Sequence, residues 1–168
     1  MFPMQQLVQA FEPWQSAYSN SKVLPTVVTA VHIGALLFGG GLAVSSDRAM
    51  LRALRGDPVD RTRQLGVIQG SHRTVLAALA LMLASGLLMA TADVKTFLTT
   101  PAFYVKLGFV SLLVINGAAL TLVERRLHHG GQAGADPRLW DRLRLTCRCS
   151  ILLWGATLVA GVTLANVA

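Results

Sequence analysis

Four apolar runs, each about long enough to cross a lipid bilayer, take up more than half of this 168-residue chain. A hydrocarbon core about 30 Å thick needs about 20 apolar residues in helical form. No water is present there, so every backbone N–H and C=O must be satisfied within the segment, which a helix does. The runs fall at about 24–44, 65–90, 101–123 and 147–168. Pro25 and Pro101 stand in first turns, where a missing N–H costs nothing. Only 14% of residues are charged, against about a quarter in ordinary soluble domains.

The polar segments carry a sharp asymmetry. Residues 45–65 hold Arg48, Arg52, Arg55, Arg61 and Arg63, and residues 124–145 hold Arg125, Arg126, Arg138, Arg142 and Arg144. The opposite side has only Lys22, Lys95 and Lys106. Positive charge stays on the cytoplasmic side of spans, so both long loops are expected inside and both termini outside, in a bacterial cytoplasmic membrane. The net charge of +7 is explained by this distribution. Neither basic segment has the interleaved aromatics of a stacking surface, and no nucleic-acid partner is expected.

The fold class that follows is all-α. The spans should form an up-down-up-down bundle of four transmembrane helices, a single membrane domain over residues 1–168. Gly56-Asp57-Pro58 reads as a turn between helical extensions, and Gly130-Gly131 with Asp136-Pro137 makes the second loop irregular. Residues 1–22 lack the basic start and cleavage site of a signal peptide. Met4, Leu7, Val8 and Phe11, continued by Trp14 and Tyr18, predict a short interfacial helix that Pro13 breaks or restarts, with a frayed terminus as the alternative.

An ionisable residue inside a span is a functional candidate by default. His32 lies mid-way along the first run and His72 about two turns into the second, with Gln69 one turn earlier and Arg73 beside it. Asn116 in the third run sits at a depth similar to His72, and Asp47 ends the first run where Arg73 should emerge. Three readings stay open. The leading one is a buried polar layer in which Gln69, His72 and Asn116 bond across helices and Asp47 pairs with Arg73. The second is haem b, with His32 and His72 as iron ligands, Gly34, Gly39 and Gly70 making room, and Arg73 on a propionate. The helical rise sets those histidines about 12 Å apart in depth, against a level pair of ligands. The third is a copper or proton path through His32, His72 and Asp47, with Met82 and Met89 on one face.

Other residues offer less. Cys147 and Cys149 point away from each other on a helix and are read as small buried apolar groups. His128 and His129 are read as solvated loop residues. Gly66-x-x-x-Gly70 suits packing within the chain or association with another copy or membrane subunit. No nucleophile elbow, phosphate loop or His-Glu zinc motif is present, so a soluble-type hydrolase or NTPase is not expected, and a role other than an enzyme is favoured.

Val31-His32-Ile33-Gly34, Asp47-Arg48, Ser85-Gly86-Leu87-Leu88 and Pro101-Ala102-Phe103-Tyr104-Val105-Lys106 together resemble a family of bacterial four-helix integral membrane proteins of unknown function. The resemblance covers about residues 24–124 and includes Asn116. More distantly, the layout is similar to copper-resistance D-type membrane domains and cytochrome b561-like bundles. It departs from both: Leu37-Phe38-Gly39 replaces their aromatic-glycine pattern, and the paired haem histidines are missing. The resemblance implies a four-helix membrane fold with His32 as the position of interest, and no activity. The expectation is an accessory or structural protein of the inner membrane whose main partner is the bilayer, with a haem-b electron carrier as the alternative and a metal-handling or proton-relay protein as the second.

Overall fold

A computed structural model describes residues 4–129 and 136–167; within them the side chains of Met4, Leu7, Gln69, His128 and His129 are not described. Among the described residues the chain is wholly helical, with six helices: α1 (Met4–Asn20), α2 (Val23–Ala53), α3 (Pro58–Ala92), α4 (Val94–Thr99), α5 (Pro101–His129) and α6 (Pro137–Val167). Four of them, α2, α3, α5 and α6, are long and apolar enough to cross a membrane.

These helices run further than hydropathy alone suggests. α2 continues through Asp47 and Arg48 to Ala53, and α6 starts at Pro137, ten residues before the expected span. Backbone hydrogen bonding continues past the apolar stretch, because nothing between Val44 and Ala53 breaks a helix. The turn at Gly56-Asp57-Pro58 forms as expected. Asp57 caps α3 by accepting a hydrogen bond from the Asp60 amide at 2.9 Å, and Pro58 occupies the first turn. The link after α3 is not a plain loop. Asp93 accepts from the Thr96 amide at 3.1 Å and starts the short helix α4.

α1 differs from expectation at Pro13, which lies inside an unbroken helix. An interior proline removes one hydrogen bond and crowds the preceding turn, at about 3 kcal/mol. Docking offsets that cost. The Trp14 indole N–H donates to the Leu88 carbonyl of α3 at 3.1 Å, the Gln15 amide donates to the Thr91 carbonyl at 3.4 Å, and Tyr18 packs against Trp14 with ring centroids 5.4 Å apart.

α2 packs most closely on α3, and α5 on α6; α2 and α6 join the two pairs, while the backbones of α3 and α5 stand further apart. Where α2 meets α3, Gly39 faces Ala78 so closely that a Cβ built on the glycine would lie 2.5 Å from the Ala78 methyl. Gly40 likewise receives the face of Trp154 from α6. Small residues let helices approach where no hydrophobic effect drives them together. One apolar cluster gathers the arginine-rich end, from Met50 and Leu54 to Leu143 and Cys147. A second holds the middle around Leu79, Met82, Leu113 and Trp154.

Candidate functional site

The structure separates the sequence candidates into two groups, one at each end of the bundle. At the arginine-rich end, α3 projects His72 toward α5. Thr121 donates its hydroxyl proton to the Gly117 carbonyl at 2.8 Å, so it must accept from His72 Nε2–H, at 2.6 Å. Asn116, one turn before Thr121, turns the other way and donates to the Thr146 carbonyl of α6 at 3.1 Å. Of the expected layer of His72, Gln69 and Asn116, the two described members bond to other residues. His72 and Asn116 each bridge helices, but to different partners, and the Gln69 side chain lies outside the described residues.

Arg73 is exposed and makes no ion pair with Asp47. Asp47 instead is 3% exposed and faces α6, where the Ser150 hydroxyl and the Cys147 thiol lie against its carboxyl. Glu124 of α5, also 3% exposed, is near enough to feel the same charge. One oxygen of each carboxyl, Asp47 Oδ2 and Glu124 Oε1, has no hydrogen-bond partner among the described residues. Among the described residues no cation pairs with either carboxyl, and such buried groups are costly in charged form and suited to holding a proton. A small hollow of about 50 Å³ brings Asp47, His72, Asn116 and Ser150 to one wall system. Sequence reading named Asp47 as a boundary residue and passed over Glu124, although an acidic residue beside a span is a signal in its own right.

At the other end, α2 carries His32 into the bundle. Gly86 of α3 makes room for the ring: a Cβ there would lie 3.1 Å from His32 Cε1. Ser85 Oγ lies 3.0 Å from His32 Nδ1. The Ser85 hydroxyl lies 2.7 Å from the Leu81 carbonyl and 3.1 Å from the Met82 carbonyl; with its proton given to its own helix, His32 Nδ1–H donates to Ser85. This leaves the Nε2 lone pair facing Lys106 Nζ of α5, at 3.5 Å. In the sequence Lys106 enters the topology count and closes the Pro101–Lys106 motif of the resemblance, yet it is also an ionisable residue inside the third apolar helix. Like Ser85 and Glu124, it stands outside the candidate site residues expected from the sequence.

The His32–Lys106 pair stands on the wall of a cavity of about 390 Å³. The cavity opens between α3 and α5, where their backbones diverge, and α4 contributes Phe97 at its edge. Except for the two polar side chains its lining is apolar, including Met82, Leu87, Phe103 and Leu164.

No family model, no curated protein and no solved structure matches this chain. The side chains present decide which ligands fit.

Haem does not fit them. His32 bonds to Ser85, which lies thirteen residues beyond His72 on the same helix, about 20 Å along its axis at 1.5 Å per residue. One iron cannot be held by both. The nitrogen of His72 toward α5 is already bonded to Thr121, and the free nitrogen of His32 faces an amine. Gly34 and Gly70, read as room for a flat ring, face open space with nothing within 4 Å. The metal path fares no better: among the described residues no three His, Cys, Asp or Glu side chains could hold a metal ion.

Proposed function

We propose that this chain is an accessory or structural protein of a bacterial cytoplasmic membrane. It crosses the bilayer four times, up-down-up-down, with both termini on the outer face. The observation that carries this reading is the outer surface of the helices. Leu37 and Phe38 on α2, Leu87 on α3, Ile115 on α5 and Leu152 on α6 are all more than 60% exposed. Soluble proteins rarely show so continuous an apolar surface, whereas lipid needs one around every spanning helix.

The ends of the helices support the orientation. The arginines cluster where α2 ends, α3 begins, α5 ends and α6 begins, the arrangement that positive-inside insertion favours. Polar bonds between helices have a structural use within this reading. His32–Ser85, His72–Thr121 and Asn116–Thr146 each tie one helix to another, at about 0.6–2 kcal/mol apiece in a membrane. The resemblance to four-helix membrane proteins of unknown function belongs with this proposal and adds no activity to it.

Reporter fusions test it. A C-terminal alkaline phosphatase fusion should be active and a C-terminal green fluorescent fusion dark, with the opposite pattern for fusions placed at Gly56. A fluorescent C-terminus with an inactive phosphatase overturns the orientation. Recovery of the chain in the soluble fraction overturns the membrane reading altogether.

A further inference from the structure

Lys106 is half-buried in a cavity otherwise walled by apolar side chains and by His32. Among the described residues no carboxylate pairs with it. Its one polar side-chain neighbour, His32 Nε2, accepts a single hydrogen bond, and an ammonium group has three to give. A charge in such a place is costly unless an opposite charge meets it. Several residues keep the place open. Gly161 of α6 lies beside the lysine, where even a Cβ would only reach ordinary contact, 3.5 Å from Nζ. Gly86 seats His32, and Ser85 fixes the ring so that its lone pair points at the lysine. The amine is thus oriented by a neutral acceptor and left unneutralised.

The volume narrows what can enter. Small-molecule sites run from roughly 300 to 1,000 Å³, and this cavity, at about 390 Å³, is near the lower end. It suits one acyl chain and has no room for two. Phe97, Phe103, Met82, Leu83 and Leu87 offer such a chain an apolar bed. The opening lies between α3 and α5 and, on the membrane reading proposed above, gives onto lipid.

We propose that this cavity binds a single-chain amphiphile with an anionic head, the head paired with Lys106 and the chain lying between α3 and α5. His32 is a positioning residue here, holding the lysine toward the cavity. Carboxylate and phosphate heads share this chemistry; a fatty acid would supply the first and a lysophospholipid the second.

The test uses the full chain purified in an uncharged detergent and native mass spectrometry. Hexadecanoate and a single-chain lysophosphatidate are the probes, with hexadecanol and hexadecyltrimethylammonium as controls for the chain alone and for the wrong charge. One molecule of an anionic probe should be retained per chain, at least tenfold more tightly than either control. Stronger retention of hexadecanoate assigns a carboxylate, and stronger retention of the lysophosphatidate assigns a phosphate. Lys106→Leu should lose the preference for an anionic head, whereas Lys106→Arg should keep it. Ala165→Phe, at an exposed position of the lining, should lower retention of all chains with the lysine intact, so the proposal stays testable if Lys106→Leu does not fold. Equal retention of hexadecanol and the anions, or unchanged anion binding in both Lys106→Leu and Ala165→Phe, overturns the proposal. The reporter fusions read membrane insertion separately, so a chain that spans the bilayer yet retains neither anion refutes the cavity proposal alone.

Discussion

Gly39→Ala should push α2 and α3 apart. The added methyl would sit 2.5 Å from the Ala78 Cβ and 3.8 Å from its Cα. Carbon atoms in good contact are about 3.5–4.0 Å apart, so the shortfall is about 1–1.5 Å. Ala78 has no rotamer by which to retreat, and the strain must be taken up by moving one helix against the other. Overpacking of this kind costs about 1–3 kcal/mol. Alanine regains up to about 1 kcal/mol in helix propensity. With a shortfall this large the overpacking cost falls toward the upper end, and the expected net loss is about 1–3 kcal/mol. Unfolding in mixed micelles with rising dodecyl sulfate, followed by circular dichroism, measures it. Gly41→Ala is the control, because nothing lies within 4 Å of a Cβ there; it should leave the midpoint unchanged or raise it slightly. The double variant Gly39→Ala with Ala78→Gly moves the methyl from one helix to the other and should recover most of the loss. A Gly39→Ala protein as stable as the parent, or a double variant no better than the single one, would refute the close-approach argument.

Further outcomes follow from the polar contacts. Thr121→Val keeps the shape at α5 but leaves His72 Nε2–H without its acceptor, and the same unfolding assay should show a loss of about 1 kcal/mol. If His72 instead needs no partner, the midpoint will not move. Trp14→Phe removes the indole bond to Leu88 and should raise amide hydrogen exchange in α1 by about five- to tenfold, for a bond worth about 1 kcal/mol, without changing α5 or α6. Uniform exchange across the chain would show that α1 is not a separately docked unit. Asp57→Ala removes the cap of α3 and should lower stability by about 1 kcal/mol, with Asp57→Asn nearly neutral; equal losses in the two variants would mean that the charge of Asp57, and not its capping bond, matters.

Pro13 shows how a strong local rule can yield to docking. A proline at that position predicts a break, yet the helix is continuous through it, and the residues just after it, Trp14 and Gln15, bond to the end of α3. No feature of residues 1–22 announces those acceptors, because they are backbone carbonyls more than seventy residues away. The turn at Gly56-Asp57-Pro58 is the opposite case. Its cap, its proline and its glycine all act within a few residues, and it forms where the sequence places it.

The same division runs through the candidate site. His32 and His72 stand out in the sequence because they are ionisable groups in apolar runs, and both do take part in contacts between helices. Their partners were not legible. Thr121, Ser85 and Thr146 look like ordinary small polar residues until a neighbouring helix brings a nitrogen to them. Sequence depth matched His72 with Asn116, and both line one small hollow, but His72 bonds to Thr121 of α5 and Asn116 to Thr146 of α6. Asp47 was expected to meet Arg73 for the same reason of depth, and it faces Ser150 and Cys147 instead.

From the sequence alone came the number of long apolar helices, the turn between the first two, and the clustering of arginine at one end. Those properties depend on backbone satisfaction, hydropathy and charge, which are set within each segment. Only the tertiary structure decided which faces meet, and with them the burial of Asp47 and Glu124 near each other and the cavity that joins His32 to Lys106. A helix turns about 100° per residue, so a small difference in rotation or register exchanges one set of neighbours for another. That rotation is fixed by close approaches such as Gly39 on Ala78 and Gly40 on Trp154, and these exist only once the helices are packed.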